Sequence, residues 1–123
     1  MGGTLSRLAI CSCDGEILEK IQLAGCGLAE DYENQPLPEL SEALESICHH
    51  WNIRAAAVNL GGKNKSQIDR IFKEYIPLVS VFRESEGGAA FAISECADII
   101  LMAGTGTIAA ARNGKKKGIC GGW

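Results

Sequence analysis

Two short glycine–threonine stretches stand near opposite ends of a 123-residue chain, Gly2-Gly3-Thr4 and Gly104-Thr105-Gly106-Thr107. Successive backbone N–H groups in a glycine turn form a concavity for an anion, because no Cβ blocks the approach, and a neighbouring threonine hydroxyl adds a donor. Two such turns facing one another can grip a polyphosphate, whereas either alone is also what a plain tight turn looks like. Further candidates lie between them. Gly61-Gly62 stops a β-branched and alanine-rich run, Arg54 to Leu60, which suits a buried parallel strand that delivers a loop at its carboxyl end, where ligands bind in open α/β sheets. Asn34 lies in a loop from Gly25 to Pro38. Glu84 follows a second apolar run and is as suited to capping a helix as to accepting a proton.

Six cysteines, at positions 11, 13, 26, 48, 96 and 120, raise the question of disulfides or a metal cluster. There is no C-x-x-C, and the two histidines, His49 and His50, are adjacent. Metal or redox chemistry would need cysteines from several strands to converge, which spacing alone does not support. Their apolar settings favour structural thiols, kept reduced in the cytoplasm. The histidines, near a helix end, suit the helix dipole better than a ligand. Asp31 and Glu33 read as solvated loop acids, and Lys115 to Lys117 as a solvated hairpin tip.

The chain has room for one domain, and its 46% hydrophobic content can fill one core. A net charge of -3 argues against affinity built on neutralising many nucleic-acid phosphates. No apolar run, Ile99 to Ala103 included, comes near the roughly 20 residues a bilayer needs, and no basic-then-apolar leader opens the sequence. A soluble, cytoplasmic protein with no nucleic-acid or membrane partner is expected.

The pattern of the chain predicts the elements that must position these residues. Leu5 to Ser12 and Glu16 to Leu23 flank Asp14-Gly15, a hairpin signal. Leu40, Leu44, Ile47, Cys48 and Trp51 recur at helical spacing behind Pro38, with the helix ending near Asn52. Ser66 is a candidate cap for a helix with apolar face Ile68, Ile71, Phe72 and Tyr75, and Pro77 introduces a strand from Leu78 to Phe82. Together with Arg54 to Leu60 this is a βαβ unit. A small-residue helix is expected over Glu86 to Glu95. A terminal hairpin follows, Asp98 to Ala103 and Ile108 to Arg112, around Gly104-Thr105-Gly106-Thr107.

The run Ile99 to Ala109, followed by Arg112, Gly114 and Gly121-Gly122-Trp123, resembles the second phosphate hairpin of the N-acetylglucosamine kinase and BadF/BadG/BcrA/BcrD ATPase family. There the family has an apolar strand, G-T-G-S, a second strand, a basic turn and G-G-W-G. Gly2-Gly3-Thr4 resembles the tail of its first phosphate motif, D-G-G-G-T-x-T, and Asp14-Gly15-Glu16-Ile17-Leu18 its D-G-x-I-L turn. The family belongs with sugar kinases, actin and heat-shock ATPases, whose two ribonuclease-H-like lobes close around ATP and a divalent metal.

The resemblance implies an α/β fold: a ribonuclease-H-like lobe over residues 1–97, with a mixed sheet flanked by helices, and the first hairpin of a second lobe over 98–123. It implies ATP and Mg2+ as ligands, with Gly2, Gly3, Thr4, Gly104, Thr105, Gly106 and Thr107 at the phosphates. Asn34, Gly61 and Gly62 would lie on the side of an amino-sugar substrate, and Glu84 would be its acid. Three departures accompany the match. Met1 stands where the first motif has its metal-associated Asp, Lys63 where a catalytic Asp is expected, and Arg83-Glu84 where an Asn-Asp pair is common. The sequence stops before the family's G-D-E-G-S segment and the adenine-binding remainder of the second lobe, so a missing carboxyl-terminal lobe or a homodimer would complete it. A non-catalytic remnant serving as a binding or dimerisation module is the competing expectation.

Overall fold

The computed structural model describes residues 1, 5–25, 37–61, 64–83, 99–103, 107–113 and 116–122. They form a mixed α/β arrangement of two helices and three small sheets. Strand β1 (Leu5–Cys11) pairs antiparallel with β2 (Ile17–Ala24), from Leu5 opposite Ala24 to Cys11 opposite Ile17, with a bulge between Ile10 and Cys11. The expected turn is made. Gly15 has φ +88°, open to glycine at little cost, and its N–H donates to the Ser12 carbonyl at 3.1 Å. Ser12 closes the turn twice more: its N–H donates to the Glu16 carbonyl at 2.9 Å, and its Oγ accepts the Glu16 N–H at 3.1 Å.

Helix α1 (Pro38–His50) begins with a proline whose missing N–H would have had no intrahelical partner in any case. Leu40, Leu44 and Ile47 form its buried stripe at the predicted spacing. Glu39 in the first turn and His49 and His50 in the last both suit the helix dipole. The helix stops where Trp51 turns extended. Trp51 Nε1 then donates to Glu19 Oε2 at 2.9 Å, tying the end of α1 to β2.

Strand β3 (Ala55–Leu60), helix α2 (Lys65–Tyr75) and strand β4 (Leu78–Arg83) are the expected βαβ unit, β3 and β4 running parallel from Ala55 opposite Leu78 to Leu60 opposite Arg83. One expectation is corrected here. Asn64, not Ser66, occupies the cap position of α2, because the first intrahelical bond is the Ile68 N–H donating to the Asn64 carbonyl at 3.0 Å, which leaves Ser66 inside the first turn. At the other end Ile76 N–H donates to the Phe72 carbonyl, and Pro77 follows.

One core joins these elements. Leu40 and Leu44 of α1, Ile68, Ile71 and Phe72 of α2, Ile76, Val58 and Leu60 of β3 and Val81 of β4 are buried together, and Met1, Leu8 and Leu23 pack against them. The first hairpin therefore shares a core with the βαβ unit.

The last sheet is antiparallel: β5 (Ile99–Ala103), β6 (Thr107–Asn113) and β7 (Lys116–Gly122), in that order. The expected β5–β6 hairpin is present, but the chain does not end with it. The Lys115 to Lys117 run stands at the turn of a β6–β7 hairpin, as expected, with Lys116 and Lys117 pairing with Asn113 and Arg112 where the third strand begins. Gly118, Gly121 and Gly122 hid that strand, since glycine disfavours extended structure on its own and the register with β6 supplies the ladder. The expected helix over Glu86 to Glu95 lies outside the described residues. Among the described residues no helix is long and apolar enough to cross a membrane.

Candidate phosphate-binding site

In the second glycine–threonine stretch, Thr107 opens β6 and pairs with Ala103, the last residue of β5, leaving residues 104–106 as the connection. A three-residue hairpin loop needs a residue with φ above zero, and glycine serves that need. Gly104, Thr105 and Gly106 themselves lie outside the described residues, as do Gly2, Gly3, Thr4, Asn34, Gly62 and Glu84.

Beside the first stretch, the preceding residue, Met1, is described. The Met1 carbonyl accepts the Gly61 N–H at 2.9 Å, and the Met1 amino group donates to the Asn59 carbonyl. These two bonds set Met1 beside Leu60 at the carboxyl end of β3. The residue that leads into Gly2-Gly3-Thr4 therefore meets Gly61, a predicted substrate-side residue. Thr107 belongs to a different sheet from β3.

The electrostatics of this end favour an anion. Helix α2 starts four residues beyond Gly61, with the positive end of its dipole there, no acid in its first turn and Lys65 as its first residue. Sequence reasoning passed over Asn64, which is 4% exposed and whose Nδ2 has no hydrogen-bond partner among the described residues. The available signal was its position directly after Gly61-Gly62-Lys63, where a short polar side chain often starts a helix. Ser6, fully buried on β1 with its Oγ likewise unpaired among the described residues, carried no such signal.

Cys11, Cys13 and Cys48 are free thiols. Apolar surroundings were expected for all the cysteines, and two depart from that: Cys11 and Cys13 are exposed, and Cys13 lies beyond the end of β1, in the turn that the bulge at Cys11 leads into. Cys48, half-buried on α1, fits the expectation, and burial pushes its thiol above the ordinary value. Among the described residues no three His, Cys, Asp or Glu side chains gather as a metal would require.

No family model, curated protein or solved structure matches the chain.

Proposed function

We propose that this chain is the ATP-binding part of a phosphotransferase or activator ATPase resembling the N-acetylglucosamine kinase and BadF/BadG/BcrA/BcrD type. Residues 1–97 would form a ribonuclease-H-like lobe and residues 98–123 the start of a second. The observation that carries this reading is the pairing of Ala103 with Thr107, which leaves Gly104-Thr105-Gly106 as the connection of an antiparallel hairpin, the local architecture a phosphate clamp needs. Met1 beside Gly61 supports it, since the first glycine stretch then starts from the ligand-binding end of the βαβ unit.

On this reading backbone amides of the two glycine stretches and the Thr4 and Thr107 hydroxyls hold the terminal phosphates. Gly61, Gly62 and Asn34 flank an amino-sugar acceptor. Glu84, next in sequence after the last residue of β4, accepts the proton of the attacking hydroxyl. Magnesium fits less well. It demands carboxylate and water oxygens, and the described residues gather no acidic set.

That misfit favours a second reading, a non-catalytic module that keeps the fold and the anion site without turnover. Thermal unfolding with and without millimolar Mg-ATP, run beside a phosphate-release assay, separates the two. Stabilisation with turnover that Glu84→Gln abolishes supports the enzyme. Stabilisation without turnover supports the binding module. An unchanged midpoint rejects the nucleotide reading.

A further inference from the structure

Cys11 and Cys13 are exposed thiols one residue apart, although cysteine is among the residues that proteins most often bury. Cys11 ends β1 and stands opposite Ile17 on the last rung of the first hairpin. Cys13 is the second residue of the turn that the Gly15 N–H closes on the Ser12 carbonyl. Residues two apart along a strand point to the same face with Cα atoms about 6.6 Å from one another, and a disulfide spans about 4.4–6.8 Å. The pair is therefore within bridging reach, toward the far end of the range. Ser12 does not stand between the two thiols. Its Oγ accepts the Glu16 N–H at 3.1 Å, and it is less exposed than either cysteine. The bonds that hold the turn run between Ser12, Gly15 and Glu16, so Cys13 can shift toward Cys11 without giving up one of them. Metal capture fits less well: Asp14 and Glu16 follow in the same turn, yet among the described residues no three His, Cys, Asp or Glu side chains gather. Two neighbouring sulfurs open to solvent are what thiol–disulfide exchange requires.

We propose that Cys11 and Cys13 form a reversible dithiol–disulfide site whose oxidant is a small organic disulfide. One cysteine thiolate attacks a sulfur of the incoming disulfide. A mixed disulfide forms on the protein, the small disulfide's own S–S bond breaks, and one small thiolate leaves and takes up a proton. The other cysteine, having given up its proton, attacks the protein sulfur of the mixed disulfide. The Cys11–Cys13 bond forms and the second small thiol departs. Two electrons and two protons pass from the dithiol to the small disulfide, which becomes two thiols. The new bond encloses a three-residue loop, so it removes little chain entropy from the unfolded state and acts as a modification, not as a staple. Exposure leaves it open to reduction by the same small thiols. No step of the exchange needs nucleotide, so the site does not depend on the phosphate-binding reading.

The test equilibrates the reduced full chain, without oxygen, in glutathione buffers with a rising share of glutathione disulfide, traps the remaining thiols with N-ethylmaleimide and digests with trypsin. The peptide from Leu8 to Lys20 holds Cys11 and Cys13 and no other cysteine. It should pass from the doubly trapped form to an internally bonded form, two hydrogens lighter than the dithiol, in one two-electron transition that dithiothreitol reverses. Cys11→Ser and Cys13→Ser, both at exposed positions, leave no second thiol to release the adduct. Each should carry glutathione on the remaining cysteine at about ten times the level found on this peptide of the unmodified chain in the same buffer. Glutathione on both cysteines of the unmodified chain, chains linked to one another through this peptide, or equal adduct on all three proteins would overturn the proposal. Hydrogen exchange of the oxidised chain supplies a second measurement. The Gly15 and Glu16 amides should keep their protection to within about threefold, because the turn's bonds survive the shift of Cys13. A larger loss would show that the bond forms only on an opened hairpin, and that the folded turn is not the site.

Discussion

Thr107 faces Ala103 across the β5–β6 ladder as the closing pair of the second glycine hairpin. In the proposed phosphate site a hydroxyl at that position would be one donor among several backbone amides, so its loss should weaken nucleotide binding without abolishing it. For Thr107→Val we expect a loss of about 0.5–1.5 kcal/mol, roughly a twofold to tenfold rise in Kd for Mg-ATP. Titration of a fluorescent ATP analogue against both proteins checks this, and an unchanged Kd would remove Thr107 from the site.

Gly15 is held by its backbone conformation and not by crowding. A Cβ there would meet nothing within 4 Å, yet φ is +88°. Gly15→Ala should therefore cost about 1–2 kcal/mol through strain alone, and Gly15→Asn less. Urea unfolding of the two variants measures the difference; equal costs would show that the conformation is not what selects glycine.

Core and surface positions should separate widely. Leu40 is completely buried, and Leu40→Ala should cost about 2–5 kcal/mol. Lys73 Nζ lies 2.6 Å from Asp69 Oδ2 on the exposed side of α2, one helical turn apart, and Asp69→Asn should cost only about 0.3–0.5 kcal/mol, less in high salt. Chemical unfolding at two ionic strengths reads both.

The thiols should react in order of exposure. Among the described cysteines, Cys11 and Cys13 should take up iodoacetamide before Cys48, which should lag because burial raises its pKa and holds it as the neutral thiol. The raised pKa also fixes the sign of the pH dependence. The folded state keeps a proton that the unfolded state gives up, so this contribution to stability is complete below the ordinary thiol pKa and is lost as pH rises through the folded value. Peptide mapping after timed alkylation gives the order, and Cys48→Ala should flatten the loss of stability at alkaline pH.

Much of the fold was legible because local chemistry and tertiary packing agreed. Asp14-Gly15 marked the first turn, the spacing of Leu40, Leu44 and Ile47 marked α1, and the proline at position 77 separated α2 from β4. Where local signals were weak, the reading failed. Glycines concealed β7, whose extended form comes from its ladder with β6. The cap of α2 fell on Asn64 because a backbone bond, not a side-chain one, sets that boundary. For the candidate site, the hairpin around residues 104–106 was foreseen from its glycines. The approach of Met1 to Gly61, across 60 positions of sequence, left no local trace. Such long-range backbone bonds depend on where whole elements dock, which residue types alone do not encode.

Isothermal titration of the intact chain with Mg-ATP, repeated with Gly106→Val, tests the central claim most directly. We predict saturable heat at one nucleotide per chain, lost in the variant while its unfolding midpoint stays within the range of the unmodified protein. No heat at millimolar nucleotide, or equal heat from both proteins, would contradict a phosphate site built on the glycine hairpin.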